Sequence, residues 1–486
     1  MIGRNEMNTK MYIGGQLVAG EGSLVKVENP ADGSIIESFQ GASAEQAEQA
    51  LQAARKAFAT WSKTSVDERI EWMLKFQAEL YKDKDFLVEL DSMETGKPFK
   101  NAVGDFEASA RLLTFYGDEA RRVFGTSIPD KSAKDHGVYH VVEHRPRGVV
   151  VGHLAWNYPL ANMGLKMGPA LASGCTIVLK PSSQTCLASL HYGEIAKRIG
   201  LPDGVINIVA GKASEVGHAL NSSKIPNMIT LIGSSDTGVQ VMNEGSTSIK
   251  NYSLELGGNA PVIIMGDCGE ELESIAMNVV ATKVSNSGQD CTDYNRIYVH
   301  ESLYERFCKL VEEKMDLVTV GRWKDKGQIV MGPMINRQAR DRILELIDDA
   351  VSSGAKLVRG GVIPEGMESG NFVTPALLAD VKDSMRCARE EIFGPIIAVQ
   401  PYSDFDKVLE QAVDTDMGLA SYLWGHDARA IAKAFETFES GDVFINGASG
   451  NTFTPHVGVK QSGLGCDQSK WSLNEYYTLK RISMKP

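Results

Sequence analysis

The sequence has no run of about eighteen apolar residues that could span a bilayer. Its first ten residues, Met1 to Lys10, hold no apolar signal segment either. A soluble protein of the cytoplasm is expected. There is no excess of basic charge: 50 Lys and Arg against 62 Asp and Glu leave a net charge of −12. That balance argues against a nucleic-acid partner or an anionic membrane surface. There is no CxxC spacing, and the seven cysteines, at 175, 186, 268, 291, 308, 387 and 466, are scattered and odd in number. Neither a disulfide framework nor a zinc site is suggested, so reduced thiols and no metal are expected. Low-complexity linkers and internal repeats are also missing, which implies a compact chain throughout.

What is present is enough for more than one core. A length of 486 residues, 43% hydrophobic and 23% charged, predicts two or three globular domains. Helical periodicity marks residues 44–62, 66–92 and 98–123, an N-terminal helical layer. From about residue 148 short apolar runs at 148–152, 176–179, 205–209 and 228–232 alternate with helices, the pattern of a parallel α/β sheet. A second α/β series begins near 261–264, continues through 296–299 and a helix over 301–318, and runs to about 467. The stretch 131–147, including the run from His136 to Arg145, alternates like an antiparallel hairpin and is too polar for a core strand. With the C-terminal 477–484 it forms a strand edge that a second subunit could complete.

Two residues suggest a chemistry. Cys291 lies in a polar run, Gly288-Gln-Asp before it and Thr292-Asp-Tyr-Asn after it, which favours a thiol facing a cleft over a small buried hydrophobe. Glu255, thirty-six residues earlier, follows an alternating strand and precedes two glycines. It is either a base for that thiol's chemistry or an N-cap or surface carboxylate. Asn157 is a candidate oxyanion donor or part of a turn. The loop Gly233-Ser-Ser-Asp-Thr-Gly238 does not fit GxGxxG, yet it follows an apolar strand and opens a helix, where N–H groups meet phosphate. Glu391-Ile-Phe-Gly-Pro395, by itself, is a charged loop before a strand.

Six motifs in order carry a resemblance: Ala155-Trp-Asn-Tyr-Pro159, Leu179-Lys-Pro-Ser182, Gly233 to Gly238, Leu254-Glu-Leu-Gly-Gly258, Gly288-Gln-Asp-Cys291 and Glu391 to Pro395. Over nearly its whole length the chain resembles the NAD(P)-dependent aldehyde dehydrogenase superfamily. The fold this implies is α/β: a variant Rossmann cofactor domain (1–123 and 147–256), an α/β catalytic domain (257–467) and a small β oligomerisation element (124–146 and 468–486). The resemblance implies an enzyme in which the Cys291 thiolate adds to an aldehyde, the thiohemiacetal loses hydride to NAD or NADP, and Glu255 activates the water that releases the thioester. Asn157 holds the oxyanion and Lys166 supports the site. For the cofactor it implies Trp156, Lys180, Ser183, Gly211, Gly233, Ser234, Gly238, Leu256, Glu391 and Phe393. Ser183 stands where many NAD-preferring relatives have a glutamate for the adenine ribose. Loss of that carboxylate, with Lys180 nearby, permits NADP.

For the substrate the resemblance points to Tyr158, Asn162, Leu165, Asp290, Thr292 and His456, an unusually polar lining. Asp290 either pairs with an ammonium group or bonds local backbone. The Gly-Gln-Asp-Cys-Thr run is similar to that of some 4-aminobutyraldehyde dehydrogenases, so an ω-aminoaldehyde is the first expectation. A small hydroxyaldehyde or a semialdehyde is the alternative, although no arginine stands at these positions to meet a carboxylate. A catalytically silent protein on the same fold is the alternative of another class. His456, where the family often has phenylalanine, is a pocket donor, a titrating group or a packed ring. A homodimer or homotetramer is expected.

Overall fold

The structure, a computed structural model, describes residues 7–485 apart from 133, 135, 136, 326 and 327. His136 and residues 1–6, both discussed above, therefore lie outside the described residues. Local signals set the first helices. Ser43 and Gln46 form a reciprocal capping box, Ser43 Oγ accepting from the Gln46 N–H at 3.2 Å and Gln46 Oε1 from the Ser43 N–H at 3.1 Å, and this opens the helix Ala44–Trp61. The expected helix over 66–92 is two helices, Val66–Lys82 and Lys84–Thr95, divided at Asp83. The Asp83 carboxylate accepts from His191 at 2.7 Å and bonds Arg198, so tertiary contacts interrupt the periodicity. The third expected stretch, 98–123, is the fourth helix, Phe99–Ala120. Strands Met11–Ile13, Gln16–Val18, Leu24–Glu28 and Ile35–Gln40 precede this layer. They were missed because three-residue strands and a polar hairpin carry too few apolar positions to show a period.

The largest sheet has eight strands. Its parallel centre runs, in space, Ile206–Ile208, Thr176–Lys180, Val149–His153, Met228–Ile232 and Asn251–Glu255. The interior is apolar on both faces, as parallel sheets covered by helices require. From Val149–His153 the chain steps outward in one direction through the next two strands, then returns to the other side to place Met228–Ile232. The order reverses between these two strands, and ligands of open α/β sheets bind outside the carboxyl ends at such a point. Gly463–Leu464, late in the chain, pairs antiparallel with Leu254 and Glu255 at this sheet's edge.

A second sheet of seven strands includes Ala260–Ile264 and Tyr294–His300, paired in parallel. The helix Glu301–Met315 follows the latter. A third sheet has three strands: Tyr139–Pro146 lies between Thr126–Pro129 and Tyr477–Met484, antiparallel to both. Its outer strand exposes Leu479 and Met484. Among the described residues no helix is long and apolar enough to cross a membrane.

Candidate active site

A cavity of about 670 Å³ opens at the reversal point of the first sheet and reaches Cys291. Its walls are formed by Lys180, Ser182 and Ser183, by Gly233, Ser234 and Leu256, and by Trp156, Asn157, Cys291, Glu391 and Phe393. The two strands that flank the reversal end here, at His153 and Ile232. Ser234 caps the helix Ser235–Gly245, its Oγ accepting from the Thr237 N–H at 3.3 Å, so the helix's remaining N-terminal N–H groups face the cavity mouth. Burial pushes the Lys180 ammonium down to about 8. A basic lysine and a helix N-terminus in the wall of one cavity suit an anionic, phosphate-bearing ligand. Gly211 and Gly238 are set back from this wall: Gly211 lets the chain pass Val216 and Ala42, and Gly238 packs against Leu256.

Cys291 is held by an unusual loop. Asn286, Ser287 and Gly288 all have positive φ, 46°, 59° and 72°, a run that non-glycine residues adopt only when their surroundings enforce it. Ser287 Oγ donates to the Gly332 carbonyl at 2.8 Å, Gln289 Nε2 to the Asn286 carbonyl at 2.9 Å, and the Ile335 N–H to Gln289 Oε1 at 2.8 Å. A side chain at Gly288 would collide with the Gly394 carbonyl at 2.4 Å, so the loop also locks against the Glu391–Pro395 turn.

Asn157 and Cys291 are brought together at the cavity's end. Asn157 is buried, its Nδ2 donates to the Gln289 carbonyl at 3.2 Å, and its Oδ1 has no partner. The amide carries two N–H bonds, so one remains to offer. Its own carbonyl is fixed by Lys97 Nζ at 2.9 Å and Asn286 Nδ2 at 3.0 Å. Burial pushes the Cys291 thiol up to about 11, against the opposing influence of His456.

Glu255 ends its strand buried, both carboxylate oxygens without a hydrogen-bond partner. Burial raises it to about 8, although His456 and Lys166 pull it down. His456 Nε2 lies 3.9 Å from Glu255 Oε2, and its Nδ1 bonds Asp442 Oδ2 at 2.7 Å. Lys166, on the helix Pro159–Ser173, bonds both oxygens of Asp467. Glu391 Oε1 accepts from the Gly258 N–H at 2.9 Å, and burial raises its carboxyl to about 7. Arg342 fixes the turn after it, donating to the Glu391 and Ile392 carbonyls at 2.8 Å each. The Phe393 ring meets Trp156 edge to face at 5.4 Å.

The expected substrate positions divide. Tyr158, Asp290 and Thr292 form one cluster: Asp290 Oδ2 accepts from the Tyr158 hydroxyl at 3.0 Å, and Oδ1 from the Thr292 N–H at 2.8 Å and hydroxyl at 2.7 Å. Local backbone bonding by Asp290 is therefore real, and it leaves room for about one further donor at Oδ2. Asn162 is buried and spends its amide on the Ala155 carbonyl at 3.1 Å, holding the turn that carries Asn157. Leu165 is half-buried against the first core. Asp442, Asp467, Lys97 and Arg342 were not singled out in the sequence. Asp467, Lys97 and Arg342 lie far along the chain from the residues they position, Asp442 lies 14 residues from His456, and no local pattern announces such pairs.

The chain matches the aldehyde dehydrogenase family over residues 17–482. It belongs to that family. A glutarate-semialdehyde dehydrogenase of Pseudomonas aeruginosa is 37% identical over 475 residues, 97% of each chain. An NADP(+) succinate-semialdehyde dehydrogenase of Escherichia coli is 35% identical, covering 96% of this chain and 95% of that one. The structure of a succinate-semialdehyde dehydrogenase from Burkholderia pseudomallei superimposes with a TM-score of 0.95, covering 100% of both chains at 32% identity. The protein is thus an enzyme of the aldehyde dehydrogenase fold, and the cofactor of its family is NAD or NADP.

Proposed function

We propose that the protein oxidises a small polar aldehyde to its carboxylate, with Cys291 as nucleophile, Asn157 as oxyanion donor and Glu255 as base. The observation that carries this is a buried Glu255 carboxyl without a hydrogen-bond partner, immediately before the Leu256 and Gly257 that line the cavity together with Cys291. As the sulfur–carbon bond forms, the carbonyl electron pair moves to oxygen, where the free N–H of Asn157 and the Cys291 N–H meet the charge. NAD or NADP, when bound, supplies the hydride acceptor. Glu255 then takes a proton from water, whose oxygen displaces sulfur from the acyl carbon. Trp156, Lys180, Ser183, Ser234, Glu391 and Phe393 bind the cofactor in this reading, with Ser183 admitting NADP.

For the substrate, an ω-aminoaldehyde such as 4-aminobutyraldehyde suits the remaining acceptor site on Asp290. Lys97, over the Tyr158 ring, is already held by Asp105, and Lys166 by Asp467, and the Asp290 charge is felt at Cys291. A carboxylate-bearing aldehyde would meet repulsion there. The names of the relatives above favour a semialdehyde as the second reading. Initial rates of reduced-nicotinamide formation with 4-aminobutyraldehyde, glycolaldehyde and succinate semialdehyde separate these. Preference for the amino compound that Asp290→Asn removes is expected; preference for the succinate compound would overturn the first reading. Cys291→Ala should lose turnover with every aldehyde, and retained turnover would overturn the assignment of the nucleophile.

We place the protein in the cytoplasm because its seven cysteines are all free. We place a homo-oligomer contact on the exposed outer strand Tyr477–Met484.

A further inference from the structure

We infer that Lys97 is the positioning residue of the oxyanion site: its buried ammonium fixes the backbone of Asn157, and through it the side-chain N–H that meets the developing charge. The inference rests on the reading of Asn157 as the oxyanion donor.

Lys97 lies between the helices Lys84–Thr95 and Phe99–Ala120, its side chain fully out of solvent. Its Nζ is 3.0 Å from Asp105 Oδ2 and donates to the Asn157 carbonyl at 2.9 Å. Asp91 stands 3.6 Å from the same ammonium, and burial pushes its carboxyl well above the usual carboxylate range. The charged partner of Lys97 is therefore Asp105, which grips the same turn. Asp105 Oδ1 accepts from the Ala161 N–H at 2.8 Å and Oδ2 from the Leu160 N–H at 3.4 Å. One ion pair thus holds three backbone groups of residues 157–161. The ammonium also lies 4.5 Å from the centre of the Tyr158 ring.

The other anchor of Asn157 is the nucleophile's loop. Asn286 Nδ2 donates to the Asn157 carbonyl at 3.0 Å and to the Gln289 carbonyl at 3.2 Å, and the Gln289 carbonyl also accepts from Asn157 Nδ2 at 3.2 Å. Backbone and amide of Asn157 are therefore referenced to the segment that carries Cys291, while Lys97 fixes them from the N-terminal helical layer. Lys97 itself has little freedom. Gly96 before it is left-handed, with φ 77°, and a Cβ on Gly332 would lie 2.1 Å from the Gly96 carbonyl oxygen, so these two segments pack backbone to backbone.

A buried ion pair is often no more stabilising than apolar side chains of the same volume, because both charges lose their water. What this pair adds is direction. Two donors on the Asn157 carbonyl, and one carboxylate on the two N–H groups that follow, set the orientation of the turn. An oxyanion donor has to be in place before charge develops, and a displacement of about 1 Å costs on the order of 100-fold in rate.

The test compares Lys97→Met, Asn157→Ala and the double variant. The reading is the first-turnover rate of reduced-nicotinamide formation by stopped flow at saturating cofactor, with whichever of 4-aminobutyraldehyde, glycolaldehyde and succinate semialdehyde the native enzyme oxidises fastest. Lys97→Met should lower that rate by about 10–100-fold while the half-saturating aldehyde concentration changes by less than about threefold. Alkylation of Cys291 by iodoacetamide, a displacement that forms no oxyanion, should stay within about twofold of native. In the Asn157→Ala background the same substitution should cost less than about threefold, because effects that act through one group do not add. Should Lys97→Met fail to fold with Asp105 left unpaired, Lys97→Met with Asp105→Asn removes both charges, keeps an acceptor for the Ala161 N–H and is read in the same way. A native rate in the Lys97 variant would overturn the inference, as would a change confined to the half-saturating concentration. So would alkylation slowed as much as turnover, or a loss that persists undiminished beside Asn157→Ala, since Lys97 would then act on the fold at large or on another group. A native rate in Asn157→Ala alone would overturn the oxyanion reading itself, and the inference with it.

Discussion

Lys166 and Asp467, 301 residues apart in sequence, meet out of solvent with Lys166 Nζ 2.7 Å from both carboxylate oxygens. The pair ties the helix that follows Asn157 to the segment that carries His456, and its two ends act oppositely on the Glu255 carboxyl, Asp467 raising it and Lys166 lowering it. Removing one partner leaves the other as a buried, uncompensated charge. Lys166→Met should cost about 3–5 kcal/mol of unfolding free energy by urea titration. Lys166→Met with Asp467→Leu should recover a substantial part of it. If Lys166→Met alone were neutral, the pair would not be holding these segments together.

The pH behaviour of Glu255 follows from its surroundings. Burial lifts the carboxyl from its ordinary 4.5 to about 8, so most of it is protonated at neutral pH. The folded protein binds this proton more tightly than the unfolded chain does. Its contribution to stability is complete below about 4.5 and is lost as the pH rises through about 8. Hydrolysis of the acyl-enzyme should accelerate over the same upper range, as the base ionises. Stopped-flow traces of Glu255→Gln should keep an initial burst of reduced nicotinamide while the steady rate falls by roughly 10²–10⁴-fold and loses this limb. A steady rate that stays native would assign the water's proton elsewhere.

The parts of this molecule that were legible in its sequence are those encoded locally. Strands at Val149–His153, Thr176–Lys180 and Met228–Ile232 announce themselves as apolar runs between helices, and the motifs around Asn157, Glu255 and Cys291 each sit within a few residues of chain. Relations between distant segments were not legible. That Asp467 would meet Lys166, or that the Tyr158 hydroxyl would reach Asp290, depends on how distant elements pack; the local bonding of Asp290 to Thr292 was one of the two sequence readings. The division at Asp83 has the same origin, since its helix-interrupting partners, His191 and Arg198, lie more than a hundred residues away.

Cofactor preference should be movable at one position. Ser183 lines the cavity near Lys180, and a carboxylate there would repel a ribose 2′-phosphate while offering acceptors to ribose hydroxyls. Ser183→Glu should lower kcat/KM with NADP relative to NAD by about tenfold or more, about 1.4 kcal/mol in differential binding. Rates with both cofactors at one aldehyde concentration measure the ratio. An unchanged ratio would place the adenine ribose away from this side chain.

Gly258 is required by a close approach, because a Cβ there would lie 2.3 Å from the carbonyl oxygen of Cys291. Backbone cannot yield as the tip of a flexible side chain can, so Gly258→Ala must displace the backbone that carries Cys291. The N–H of the same residue is bonded by Glu391 Oε1, and the displacement would therefore loosen the Glu391 side of the cavity too. A shift of about 1 Å in a reacting group costs on the order of 100-fold in rate. We expect Gly258→Ala to lose about that much in kcat, and Cys291 alkylation to slow with it. Lys180, Ser183 and Ser234 stand on other elements than the Cys291 loop, so affinity for the adenosine half of the cofactor, measured by competition with adenosine diphosphate ribose, should change little. A variant with native kcat would show that the loop carrying Cys291 can move without misplacing the sulfur.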